Sequence, residues 1–287
     1  MSANVSSRAR AGAGTRLAIL LVAASSSTTL AQELEYDLRV DAPVTAVATA
    51  AWVGTELAKG TFAPASCRWC DRAPDGTDAV NGLDASVRAA LKWRNIDAGD
   101  TASGVTGFGL TPVATLGLCA LAAFHDDRLS GFPVDALVIW EAVALAADLN
   151  QAVKFTAGRE RPFVHALVAD EKPLTRSPSD NNTSFYSGHT SFAFSLAVSA
   201  ATVAFMRGYR WRVPILVAGL AAAFLTGYLR IAGDRHYFID VATGAVLGSA
   251  FGFAVPYFFH RPSTSGVPAL SLVPLSSGMG IAARWEG

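Results

Sequence analysis

Apolar residues in this chain do not alternate over short stretches. They collect in five runs, about Gly104 to Phe124, Pro133 to Val153, Thr190 to Met206, Val213 to Tyr228 and Val241 to Phe259. Each run is long enough for a helix and too long for an ordinary strand, so the pattern predicts an all-α fold. With a shorter helix expected over Ala42 to Ala58, the reading is a bundle of about five to six apolar helices. A helix of roughly 17 residues reaches about 25 Å, slightly less than a ~30 Å hydrocarbon layer, so length alone leaves both a membrane span and a buried core open. Four runs carry no charge, whereas Pro133 to Val153 holds Asp135, Glu141 and Asp148. In a membrane these three would have to face the bundle interior. The connection from Arg207 to Arg212 is rich in arginine, as a cytoplasmic turn would be, which puts the Thr190 and Tyr228 ends on the outer side.

The first residues read differently. Arg8, Arg10 and Arg16 precede a short apolar run, Leu17 to Ala24, and small residues ending at Ala31, the pattern of a cleavable export signal over residues 1–31. Residues 32–103 then form an N-terminal helix and a turn-rich surface subdomain with an amphipathic stretch around Leu83 to Trp93. A helical bundle over 104–260 would carry the chemistry, and 261–287 is a tail to which the sequence assigns no function. An exported chain places the protein in the cell envelope, with its site facing the periplasm or exterior.

Composition narrows the chemistry. Lysine plus arginine equals aspartate plus glutamate at 23 each, so no global field attracts a nucleic acid, and any phosphate must be met by local charge. Only 16% of residues are charged, below the roughly 25% of soluble proteins, which favours membrane or deeply buried helices. Cys67 and Cys70 lie three apart in a Pro/Asp/Gly-rich stretch, and in an exported chain this pair is most simply a disulfide. Asp71 stands where covalent haem attachment would need histidine, and too few further ligands lie nearby for zinc. Cys119, in an apolar run, reads as an inert core thiol.

Three polar clusters adjoin the apolar runs: Lys154 with Arg161-Pro162, Ser187-Gly188-His189, and Arg230 with His236 and Asp240. Hydrolysis of a phosphate ester without a metal needs fixed cations around the oxygens, which Lys154, Arg161 and Arg230 can supply. Ser187 and the N–H groups of Gly188 and His189 would sit at a helix N-terminus, a natural anion site. One imidazole must attack phosphorus, and His236, four residues before Asp240, has a carboxylate placed to hold its other nitrogen. His189 is left to protonate the leaving oxygen and then activate water. His125, His165 and His260 read as structural. The polar loop from Phe163 to Tyr186 is placed to shape the substrate.

The three clusters read KFTAGRERP at 154–162, YSGH at 186–189 and LRIAGDRHYFID at 229–240. In that form the chain resembles the type 2 phosphatidic acid phosphatase family, whose pattern is Lys-x6-Arg-Pro, Pro-Ser-Gly-His and Ser-Arg-x5-His-x3-Asp. Tyr186 and Leu229 depart from it, at positions that carry no charge or proton. The resemblance covers about Gly104 to Phe259. It implies one phosphate pocket at the helix ends, a phosphohistidine on His236, His189 as general acid and base, and no metal or other cofactor. The expected substrate is a phosphate monoester or diphosphate, first of a lipid, with the membrane as partner. Two alternatives stand beside it: a soluble periplasmic acid phosphatase for small esters, and a vanadium-dependent haloperoxidase of the same superfamily.

Overall fold

Five helices of the chain are long and apolar enough to cross a membrane, in a computed structural model that describes residues 33–261, 269–275 and 278–284. The expected export signal lies outside the described residues. In chain order the main elements are α1 (Asp41–Leu57), α2 (Gly82–Leu91), α3 (Ile96–His125), α4 (Phe132–Ala157), α5 (Gly188–Met206), α6 (Arg212–Ala232) and α7 (Phe238–Phe259). The fold is helical, as its periodicity predicts. The tail adds an antiparallel hairpin, β1 (Ala269–Leu275) and β2 (Gly278–Arg284), with Ala269 opposite Arg284. Uniform apolar runs did not announce this hairpin.

Local chemistry explains the boundaries. The first long helix starts at Ile96, earlier than its apolar run, because Asn95 accepts the Ala98 N–H at 3.1 Å and caps it. Its first turns carry Asp97 and Asp100, which hide the start from a hydropathy reading. Midway, the helix widens into two π turns, Thr106–Leu110 and Val113–Gly117, on either side of Pro112. Proline has no N–H to give and crowds the preceding turn, and here Thr111 Oγ1 donates to the Thr106 carbonyl at 2.8 Å. At the other end of the bundle's polar face, α4 stops at Gly158, which takes φ +59°, a left-handed cap open to glycine.

Cys119, Val138, Ile139, Val143, Leu196, Val203 and Ile215, from α3 to α6, form the buried core. The outward faces stay apolar: Val113, Val217, Phe224 and Val246 are between 61% and 69% exposed. The charges of α4 sort as a membrane span requires. Asp135 is fully buried and accepts from Arg207 Nε at 2.7 Å and Tyr209 Oη at 2.5 Å, and Glu141 is buried as well. Asp148 is half-buried beside α1. The arginine-rich connection is thus partly consumed in ion pairs, Arg207 also meeting Glu33 at 2.7 Å and Arg210 meeting Asp126 at 2.5 Å.

The tightest contact joins α5 to α7. Gly244, Gly248 and Gly252 repeat every four residues on α7, facing Ser187, Ser191 and Ser195 on α5. A Cβ on Gly244 would lie 2.6 Å from the Ser187 carbonyl oxygen, one on Gly252 2.5 Å from that of Ser195, and one on Gly248 closer still to that of Ser191. The helices therefore meet backbone to backbone, as small residues allow. Gly248→Ala is expected to lower stability by about 1–3 kcal/mol through overpacking. Thermal unfolding in detergent measures this, and an unchanged midpoint would show that the seam yields.

The N-terminal helix and surface subdomain expected over 32–103 build one wall of the bundle over their described residues, 33–103. Trp140 Nε1 donates to Thr49 Oγ1 at 3.0 Å, fixing α1 to α4, and the segment around Trp69 pairs with Arg159. Asp84 is fully buried. The turn-rich sequence shows no long apolar run because its contacts are mostly polar.

Candidate active site

All three motifs come together at one end of the bundle. Lys154 lies in the last turn of α4, Arg161 in the loop beyond Gly158, and Ser187, Gly188 and His189 at the start of α5. Arg230 ends α6, His236 sits in the turn to α7, and Asp240 is in the first turn of α7. A cavity of about 470 Å³ is lined by Lys154, Arg161, Gly188, His189, Arg230 and His236. Ser187 and Asp240 stand behind it. The Ser187 hydroxyl is 2.8 Å from Thr190 Oγ1 and caps α5 by accepting from the Thr190 N–H at 3.4 Å. Gly188 lies against the polar groups of α4, since a Cβ there would come within 2.7 Å of Asn150 Oδ1 and 2.9 Å of Lys154 Nζ.

His236 is held in one tautomer. Its Nδ1 is 2.7 Å from the Ser184 carbonyl oxygen, which can only accept, so Nδ1 carries the proton and Nε2 keeps its lone pair. Nε2 lies 3.5 Å from Arg161 Nη1, on the cavity side. Burial, reinforced by Arg161, Arg230 and Lys154, pushes the imidazole pKa well below its ordinary 6.5 and keeps the ring neutral. The expected direct pairing with Asp240 is corrected by the geometry: Asp240 Oδ2 is 3.8 Å from Nδ1, beyond hydrogen-bond range. Its oxygens are taken by Arg159 Nη1 at 2.6 Å, Ser184 Oγ at 2.5 Å and the Tyr237 N–H at 3.0 Å. Asp240 therefore orients His236 through Ser184 and the cap of α7.

The residue behind this arrangement, Arg159, escaped the sequence reading. It is fully buried, bridges Asp71 (2.9 Å), Asp84 (2.8 Å) and Asp240 (2.6 Å), and lies between the rings of Trp69 and Tyr237 at 4.3 and 4.2 Å. Trp69 is presented by the loop closed by the Cys67–Cys70 disulfide, whose backbone donates to the Gly158 carbonyl and accepts from the Glu160 N–H. A second arginine two residues before Arg161 was the available signal. Its three acidic partners lie far away in sequence and share no motif.

The remaining cations are not idle. Arg161 donates to the carbonyls of Asp180 (2.7 Å) and Arg235 (3.3 Å) and to Thr183 Oγ1 (3.2 Å). Arg230 Nη1 meets Asp100 Oδ1 at 2.5 Å and Ser103 Oγ at 2.9 Å, while its Nε is buried without a partner. Asp100 also holds Arg235 at 2.9 Å, and Asp180 holds Lys59 at 2.8 Å. Asp180 is half-buried, and Arg161 and Lys59 outweigh its desolvation and hold its carboxyl well below the usual range. Five cationic side chains and three carboxylates line the cavity, leaving an excess of positive charge that a phosphate dianion would balance. His189 lies beside this charge with its ring 4.7 Å from that of Phe108. His165 stays outside the cavity, near Glu160 and Asp78.

The helix ends of the bundle thus enclose two imidazoles and a surplus of fixed cations around one cavity. Residues 135–263 match the family model of the PAP2 superfamily. It is 28% identical over 142 residues to lipid phosphate phosphatase 1 of Arabidopsis thaliana, a stretch covering 42% of this chain and 43% of the relative. The chain thus spans less than half the length of that curated relative. A solved structure, described as the first transmembrane PAP2 type phosphatidylglycerolphosphate phosphatase from Bacillus subtilis, is 21% identical, with 72% of this chain and 94% of the other covered at a TM-score of 0.44.

Proposed function

We propose that the protein is a membrane phosphatase that hydrolyses a phosphate monoester or diphosphate of a lipid through a phosphohistidine. The observation that carries this reading is the neutral His236 Nε2, lone pair on the side of a cationic cavity and its opposite nitrogen tied to Ser184. In the first step Nε2 bonds to phosphorus as the ester P–O bond breaks, and His189 gives its proton to the departing oxygen. In the second, His189 takes a proton from water, the water oxygen bonds to phosphorus, and the N–P bond breaks to release inorganic phosphate. Lys154, Arg161 and Arg230 stabilise the equatorial oxygens as charge builds on them, the task a divalent ion performs in other phosphatases.

The lipid assignment rests on the exposed apolar faces of α3, α6 and α7, and on the relative named a lipid phosphate phosphatase. A site facing the periplasm or exterior is supported by the arginine-rich α5–α6 connection at the opposite end of these helices. Phosphate release should be measured over a panel of phospholipid, prenyl and soluble phosphates with EDTA present. We expect turnover to be retained, to prefer lipid substrates and to be inhibited by vanadate. Turnover lost to EDTA and restored by magnesium would overturn the cationic cradle; equal rates on soluble esters would favour the small-ester alternative.

A further inference from the structure

Away from the phosphate cavity, α1, α4 and the end of α7 each contribute one buried ionisable group to a single point: Asp41, Glu141 and His260. One ligand atom from each lies within 4.8 Å of the other two, and none of the three residues lines the active-site cavity. They are 8%, 2% and 2% exposed. The reading of His260 from sequence as merely structural says nothing of what it faces.

His260 is oriented as a metal-binding histidine is. Its Nδ1 lies 2.9 Å from the Glu35 carbonyl oxygen, an acceptor, so the proton belongs on Nδ1 and the lone pair on Nε2. That lone pair faces Glu141 Oε2 at 3.4 Å, and both atoms are buried without a hydrogen-bond partner. Asp41 is steadied from the other side, accepting the Asp37 N–H at 2.8 Å. Among the described residues no lysine or arginine pairs with Asp41 or Glu141, and the neighbouring Arg261 guanidinium lies over Tyr257 at 4.7 Å. Two buried carboxylates and an imidazole are thus turned on one another with no lysine or arginine paired to either acid among the described residues, an arrangement that costs heavily unless a proton on His260 or a metal cation joins them.

We propose that Asp41, Glu141 and His260 bind one divalent transition-metal ion of the zinc type, which fastens α1 and the end of α7 to α4. One nitrogen and two carboxylates suit zinc and its neighbours, whereas calcium takes six to eight oxygens. Metal–ligand distances near 2.0–2.1 Å at tetrahedral angles separate two ligand atoms by about 3.3 Å, which matches the Nε2–Oε2 spacing. The fourth position is left to water or a further oxygen. The ion is structural and takes no part in phosphate transfer, so this inference stands apart from the proposed activity.

The test uses tag-free, full-length protein in detergent. Metal analysis after purification with zinc in the medium should find about one equivalent per chain. Prolonged dialysis against a chelator should remove it and lower the unfolding temperature by about 5 °C or more, with zinc alone restoring it. Cobalt added to the stripped protein should give the intense visible bands of a four-coordinate site. Glu141→Gln, which keeps the side-chain volume, should weaken cobalt binding at least about tenfold, its fold being verified by retained phosphate release. Should that variant not fold, the wild-type cobalt spectrum and zinc-dependent unfolding decide. Less than a tenth of an equivalent bound, with no cobalt bands and no response of the unfolding temperature to zinc, would overturn the proposal and leave a carboxylate–imidazole cluster sharing a proton.

Discussion

His236→Ala is expected to lower turnover by about 10⁴-fold or more and to abolish acid-labile labelling by substrate phosphate, because no other group can form the bond to phosphorus. His189→Ala should behave differently. Losing a general acid costs about 10²–10⁴-fold on an alkyl phosphate and much less on p-nitrophenyl phosphate, whose leaving group departs unaided. The label on His236 should then accumulate, since the water that clears it is no longer activated. The pH profile carries the same assignment: with its pKa held below 6.5 by burial and by Arg161, His236 should set an acid limb of kcat/KM beneath that value. Quench-flow labelling and the two substrate types check this together. Labelling that survives in His236→Ala and vanishes in His189→Ala would reverse the roles.

The second large effect is expected at Arg159, which no motif marks. Arg159→Met strands Asp71, Asp84 and Asp240 in a dry interior, and breaking a buried ion cluster in this way costs about 3–5 kcal/mol. Activity should fall as well, because Asp240 and Ser184 lose the group that fixes them and Ser184 holds His236. Arg159→Lys keeps the charge but cannot reach three carboxylates with one ammonium, so it should recover only part of either loss. Unfolding in detergent and phosphate release measure the two effects. A methionine variant as stable as the parent would mean that the three carboxylates are neutral in the folded protein.

What could be read before the structure was the apolar architecture and the three motifs. Runs of uncharged residues admit few folds, and a cation, an imidazole and a carboxylate at fixed spacing on helix ends point to one surface. Six of those residues do line one cavity. The separation of Ser187 and Asp240 from that cavity was not legible, because four-residue spacing says that two side chains share a helical face and not which partner each prefers. Asp240 prefers the stronger cation, Arg159. Nor were Lys59, Asp100 and Phe108 legible as cavity residues, since each comes from a stretch whose composition suits a solvated loop or an apolar helix equally well, whereas Asp180 lies in the loop expected to shape the substrate. The π turns of α3 and the tail hairpin depend on hydrogen bonds that periodicity does not encode.

The glycine seam between α5 and α7 divides the cavity into two walls with different freedom. Both imidazoles are anchored to the side where backbones already touch: His189 opens α5 and His236 directly precedes α7. Nothing on that side can swell or slide without prising the two helices apart. The opposite side, with Trp52 on α1, Phe108 on α3 and Asp180 on a loop, is built from side chains that can be exchanged one at a time. Change at this cavity is therefore one-sided: the α1 and α3 flank can be altered side chain by side chain, while the two imidazoles keep their spacing.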